Sequence, residues 1–272
     1  PRPFAFKTQG SLSLSDKQTT VSLQTGGGFL SRLDFDWDQP ITIIQEAGEL
    51  RLPGTEINLA QGTLLLEART SNMSAVQALL QTRDIELNDL PLDRFRSLSG
   101  RIDSDISVQG TLQDPRMQVQ ASISELKSRL EATSDLPPAS VSLAAQYDGN
   151  RMQASLEASQ TDLISLQADL TLPGALALHP FQFDPRAGLD GTMLGKLDLN
   201  MMNSVLPVDG HQYGGNLDID LQLSGPLSSP VVNGDFELHK GRYEHALSGF
   251  ALTQLKIVGK VQDRTLTLTT LQ

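Results

Sequence analysis

The side chains best placed to do chemistry are two spaced pairs of carboxylates. Asp103 and Asp105 form one pair, Asp218 and Asp220 the other. Two-residue spacing in an extended chain puts both members of a pair on one face, where they could ligate a cation. No cluster of Asn, Asp and Glu completes a calcium loop around either pair, so both read as a solvated outer strand face that also discourages aggregation. The triple glycine Gly26–Gly28 has the outline of a phosphate cradle. It lacks the Gly-Lys-Ser/Thr ending and opens no helix, and so reads as a flexible turn. The four histidines, His179, His211, His239 and His245, show no ligand spacing. His239 and His245 with Glu244 could be gathered by folding; surface or hairpin positions are the expectation. No Gly-x-Ser-x-Gly elbow is present, nothing marks a carboxylate pair for glycoside cleavage, and the chain contains no cysteine, which removes thiol catalysis, Cys-based zinc sites and disulfides. The expectation is a protein that performs no chemistry and needs no cofactor.

The elements that would carry these residues are strands. Apolar residues alternate with polar ones along most of the 272-residue chain. Leu12/Leu14, Leu33/Phe35/Trp37, Ile41/Ile43, Leu50/Leu52, Val141 to Tyr147, Met152 to Ala158, Leu166 to Leu172, Leu217 to Leu223, Phe236/Leu238, Leu255/Ile257 and Leu266/Leu268 all follow it. Gly, Asn, Asp and Pro punctuate the runs at short intervals. Helical signal is confined to Ser74–Gln81 and, more weakly, Asn200–Leu206, both expected as short connectors; Ser124–Leu136 is ambiguous. Helices this scarce cannot cover the apolar face of so many strands.

One stretch is written twice. Gly100–Pro115 returns as Gly215–Pro230 at an ungapped offset of 115 residues. Gly100/Gly215, Asp103/Asp218, Asp105/Asp220, Gly110/Gly225, Leu112/Leu227 and Pro115/Pro230 are identical, and Ile102/Leu217, Ile106/Leu221 and Val108/Leu223 keep the apolar pattern. A lengthwise repeat points to stacked units. They are read as residues 96–210 and 211–272, the second truncated at its C-terminus, with 1–95 a β-rich segment of the same groove. The alternation is compatible with a closed sandwich and with an open trough. The repeat, and fillers that are mainly Leu, Ile, Val and Ala with only 5% aromatics, favour the trough.

A net charge of −11 with no basic cluster argues against nucleic acid. No apolar run approaches the ~20 residues that span a bilayer, and no signal-peptide core opens the chain. Both ends read as interruptions of a longer protein, with any membrane anchor outside this segment.

From Leu194 onward the text resembles a known family. The passages are Leu194-Gly-Lys-Leu-Asp-Leu199, Tyr213 to Pro230, Val231-Val-Asn-Gly-Asp-Phe-Glu-Leu-His-Lys-Gly-Arg-Tyr243, Leu247 to Leu252 and Asp263 to Leu268. Their order is Gly, alternating aliphatics, Gly, a Pro-ended turn, Gly-x-aliphatic, then Lys-Gly-x-Tyr. This is similar to the C-terminal region of the TamB (translocation and assembly module) family of the AsmA-like superfamily. The first repeat resembles it too but departs at Val119, where the second has Gly234. The resemblance implies an all-β fold: an elongated, curved, mostly antiparallel sheet, or β-taco, with an apolar groove and few short helical connectors. It implies a periplasmic segment of a protein anchored in the bacterial inner membrane. The expected function is conveyance of phospholipid acyl chains between inner and outer membrane. The alternative is a scaffold for assembly or secretion of outer-membrane barrel proteins and autotransporters with a TamA-type outer-membrane barrel partner. The expected acyl-chain floor is Leu217, Ile219, Leu221 and Leu223 with Phe236, Leu238, Ile257, Leu266 and Leu268.

Overall fold

The structure is a computed structural model that describes residues 4–72, 74–90, 98–129, 136–178, 181–183, 188–201, 203 and 210–272. Its first strands are β1 (Phe4–Leu14), β2 (Gln18–Leu30), β3 (Leu33–Trp37), β4 (Ile41–Glu46), β5 (Glu49–Leu59), β6 (Gly62–Ser71), β7 (Ala75–Glu86), β8 (Leu98–Thr111) and β9 (Pro115–Ser128). Then come β10 (Ala139–Tyr147), β11 (Arg151–Gln160), β12 (Ile164–Pro173), β13 (Leu176–Leu178), β14 (Phe181–Phe183) and β15 (Gly188–Asp198). The last are β16 (His211–Pro226), β17 (Val231–His245), β18 (Phe250–Gln262) and β19 (Thr265–Leu271). Seventeen of them belong to one sheet, with β13 and β14 forming a separate two-stranded one. The protein is therefore all-β, and every ladder described below is antiparallel.

The chain forms two compact units. One comprises Pro1–Ser124, Ala144–Asn150 and Ala175–Phe183, the other Glu125–Leu143, Arg151–Gly174 and Asp184–Gln272. In the first unit, β1 pairs with β2, β2 with both β3 and β4, and β4 through β8 pair successively. The Ser15–Gln18 turn closes the first hairpin through a bond from the Ser15 amide to the Gln18 carbonyl (2.9 Å). In the second unit, β11, β12 and β15 to β19 pair in chain order.

Two sequence expectations are corrected. Ser74–Gln81 is not a helical connector, because Ala75 onward is β7. Val76, Ala78 and Leu80 register with Thr70, Ala68 and Leu66 on one side and Gly110, Val108 and Ile106 on the other. Ala, Leu and Gln favour a helix in isolation, but two ladders of hydrogen bonds and cross-strand apolar pairs outweigh propensities of a few tenths of a kcal/mol per residue. Gly26–Gly28 is not a turn either. It lies inside β2, paired to Thr8, Lys7 and Phe6 and to Trp37, Asp36 and Phe35. The glycines let the Trp37 and Phe35 rings stack at 7° between planes while Trp37 lies over Gly26. The Trp37 indole N–H donates to the Gln24 carbonyl. Of the second expected connector, Leu199–Met201 forms one 3-10 turn, and the residues from 204 to 206 lie outside those described.

The duplicated stretch has duplicated geometry. Both copies are strand–turn–strand: β8 to β9, and β16 to β17. Gly100 and Gly215 have φ of 149° and 112°, Gly110 and Gly225 of 110° and 90°. The correspondence outlasts the sequence identity. Glu125 and Lys240, also 115 apart, are both left-handed, at φ 53° and 50°. At Lys240 the β17 ladders shift register, a β-bulge.

Gly225 tests the turn. A Cβ there would meet nothing closer than 3.6 Å, so the cost of Gly225→Ala is backbone conformation alone. The expected loss is about 1–2 kcal/mol, read as a lower urea midpoint. Gly188→Ala, with open space around it and no positive φ, should stay within about 0.5 kcal/mol of the parent.

Candidate functional site

Register decides which side chains share a face, because directly paired residues in an antiparallel ladder project to the same side. In the second unit the ladders align apolar residues into rows that run across the strands. One row runs Ile164, Leu197, Leu217, Leu238, Ile257, Leu271. The next runs Ala158, Leu166, Gly195, Ile219, Phe236, Gly259, Leu268. A third runs Leu156, Ala168, Met193, Leu221, Gly234, Val261, Leu266. Leu170, Gly191, Leu223 and Val232 continue the surface.

All nine residues expected on the floor lie in these rows. Sequence reading missed the flanking β15 contribution, Met193 and Leu197, because Gly191 and Gly195 hold the alternate positions and break the visible stripe. Those glycines are covered from neighbouring strands. A Cβ on Gly195 would meet Ile219 Cγ1 at 2.7 Å and Cδ1 at 2.8 Å. The Phe236 ring lies over Gly259, and Leu238 leans over Gly241. Large side chains thus lie down on their neighbours, which levels the apolar surface.

The floor is not a filled core. Leu217, Ile219, Leu221, Leu223, Phe236, Leu238 and Ile257 are only half-buried, while Leu266, Leu268 and Leu271 are 61%, 51% and 66% exposed. Among the described residues seven large apolar side chains are buried, Leu87 and Leu172 the deepest of the leucines, against eighteen that are exposed. A sandwich interior packs at crystal-like density and buries its alternate positions. This face does not.

The opposite face is polar and charged. Lys196, Asp218 and Glu237 register with one another, as do Asp220 and Asp235. Asp218 lies 3.3 Å from His239 Nε2, Glu237 lies 3.0 Å from Lys256 Nζ, and Asp235 lies 3.5 Å from Lys260 Nζ. A hollow of about 490 Å³ on this side is lined by Asp162, Lys196, Asp198, Asn216, Asp218 and His239. In the first unit, Asp105 accepts two bonds from Arg83 (2.8 and 3.0 Å) and one from Gln81, and Asp103 accepts from the Asp84 amide (3.0 Å). Around neither aspartate pair do three or more His, Asp or Glu side chains gather so as to hold a metal ion among the described residues. His179 lies outside those residues; His239 is on the polar face, away from His245.

These outer pairs make a pH prediction. The Arg83 guanidinium hydrogen bond, helped by Gln81, holds Asp105 below the usual carboxylate range; Lys256 does so for Glu237, and Arg242 for Glu244. A carboxyl whose folded pKa is depressed contributes stability that is present above its unfolded value, about 3.9 for Asp and 4.3 for Glu, and is lost as pH falls through the folded value. The melting temperature should be insensitive to these groups from pH 7 to 5 and fall below about pH 4. Glu237→Gln should fall less steeply than the parent over that acid range, measured by thermal unfolding at a series of pH values.

No curated protein and no solved structure matches the chain. A family model described as TamB, N-terminal domain, matches residues 97–238, just over half of it. The match begins at the first copy of the duplicated stretch and ends on β17, so it contains both copies and their turns. On that match, the chain belongs to the TamB family.

Proposed function

We propose that the apolar face shelters the acyl chains of phospholipids, as one segment of a conduit between the inner and outer membranes of a bacterial envelope. The observation that carries this reading is the set of aliphatic rows across β12 and β15 to β19, wide, glycine-levelled and only half-buried. Water against such a surface is unfavourable; an acyl chain gains roughly 0.8 kcal/mol per methylene removed from water, so five methylenes are worth about 4 kcal/mol. Nothing in the floor is directional, which suits a cargo that slides. Headgroups would stay in solvent at the rim.

In this reading residues 1–95, 96–210 and 211–272 each supply a stretch of apolar groove, and the chain performs no catalysis. The segment works in the periplasm, with an inner-membrane anchor elsewhere in the full-length protein and a TamA-type barrel as the outer-membrane partner. The TamB match supports an envelope role. The text from Leu194 resembles the C-terminal region of such a protein, whereas the family model that spans both copies is described as the N-terminal domain.

Leu221→Glu is the discriminating variant. On an open floor solvent reaches the carboxylate, so the protein should keep its melting temperature within a few degrees while capture of a photoactivatable phospholipid falls severalfold. Asp218→Ala, on the other face, should change neither. If Leu221→Glu folds and captures lipid as well as the parent, the conduit reading is wrong at this site. If it unfolds, the face is a closed core. Retained capture of unfolded barrel strands, with lipid capture absent in the parent, would instead favour the scaffold role.

A further inference from the structure

Beyond the bulge at Lys240, rings replace the aliphatic side chains on β16 and β17. The registered pairs there are Tyr213 with Tyr243 and His211 with His245. Leu238 stands over Gly241, which puts Tyr243, two residues on, on the same side as the floor. The four rings form one cluster: Tyr213 and Tyr243 have centroids 5.8 Å apart, His211 and Tyr243 5.8 Å, and His211 and His245 4.5 Å with planes inclined at 50°. Each imidazole has its Nδ1 engaged by a hydroxyl, His211 by Tyr243 (2.9 Å) and His245 by Ser248 (2.6 Å). No hydrogen bond to the Nε2 of either ring is formed among the described residues.

We propose that His211 and His245 are a two-imidazole site for a divalent transition-metal ion. When each Nδ1–H donates to its hydroxyl, the lone pair is left on Nε2, the arrangement in which a polar partner on one ring nitrogen fixes the tautomer that binds metal through the other. The spacing fits. Metal–nitrogen bonds of about 2.0–2.1 Å put a ring centroid about 3.2 Å from the ion, so two imidazoles at about 90–110° have centroids about 4.5–5.2 Å apart. Only two protein ligands are present, and no group of three or more His, Cys, Asp or Glu gathers among the described residues. Water fills the other positions, and imidazole chemistry selects Ni²⁺, Cu²⁺ or Zn²⁺ over Ca²⁺ or Mg²⁺. The ion clips β16 to β17 beyond the bulge at Lys240. Tyr243 and Ser248 are positioning residues that act through the imidazoles.

The test is calorimetric titration of the protein with Ni²⁺, and electron paramagnetic resonance of the same protein with one equivalent of Cu²⁺. One Ni²⁺ per chain is expected, weakened at least tenfold in His211→Asn and in His245→Asn and unchanged in His239→Asn. The Cu²⁺ spectrum of the parent, which needs no variant to fold, should carry hyperfine coupling from two imidazole nitrogens. Tyr243→Phe should keep both nitrogens and bind more weakly. A parent Cu²⁺ spectrum with oxygen ligands alone overturns the proposal, as does Ni²⁺ binding that survives both histidine variants. Neither result bears on lipid capture, so the two readings fail separately.

Discussion

Antiparallel register is the constraint on which everything else here depends. Side chains alternate along each strand, and pairing makes every residue share a face with its cross-strand partners. A slip of one residue on any strand would send its aliphatics to the polar side. Once Leu217 is opposite Leu238 and Ile219 opposite Phe236, the rest of the rows follows from strand to strand. The described residues include almost no helix to lay over the resulting surface. A sheet with one apolar face must meet a second layer or something that is not part of the fold, and the half-exposed floor is the physical reason to look for cargo.

Glycine gives this face its texture. Bulky residues such as Ile219 and Phe236 need somewhere to lie, and Gly195 and Gly259 leave that room. The floor is therefore smooth without being densely packed. Specific recognition needs fixed polar groups at fixed places. A levelled aliphatic surface offers contact area with no preferred position along it. The charged groups sit on the other side, where their ion pairs are solvated and contribute little to stability.

Much of this was legible in the amino-acid sequence, because period-two alternation reports the burial pattern directly. All nine floor residues and the polar placement of Asp218 and Asp220 follow from counting odd and even positions. Besides the in-strand setting of Gly26–Gly28, three features were not legible. The segment after Ser74 is composed of good helix formers, and only its partners on β6 and β8 make it a strand. The left-handed backbone shared by Glu125 and Lys240 is a repeat of conformation carried by residues of opposite charge. The approach of His211 to His245 needs the register on the far side of the bulge at Lys240, and nothing in a 34-residue separation announces it.

The absence of cysteine allows the openness of the floor to be measured directly. Single cysteines at Ile219 and Leu221 on the floor, and at Leu87 and Leu172 in the buried positions, would each be the only thiol in the molecule. The account predicts that a small water-soluble thiol reagent labels the two floor positions at least tenfold faster than the buried ones, and that phospholipid slows them, while the buried positions stay unreactive until the protein unfolds. Floor thiols as unreactive as those at Leu87 and Leu172, in protein free of lipid, would contradict it and show a closed core.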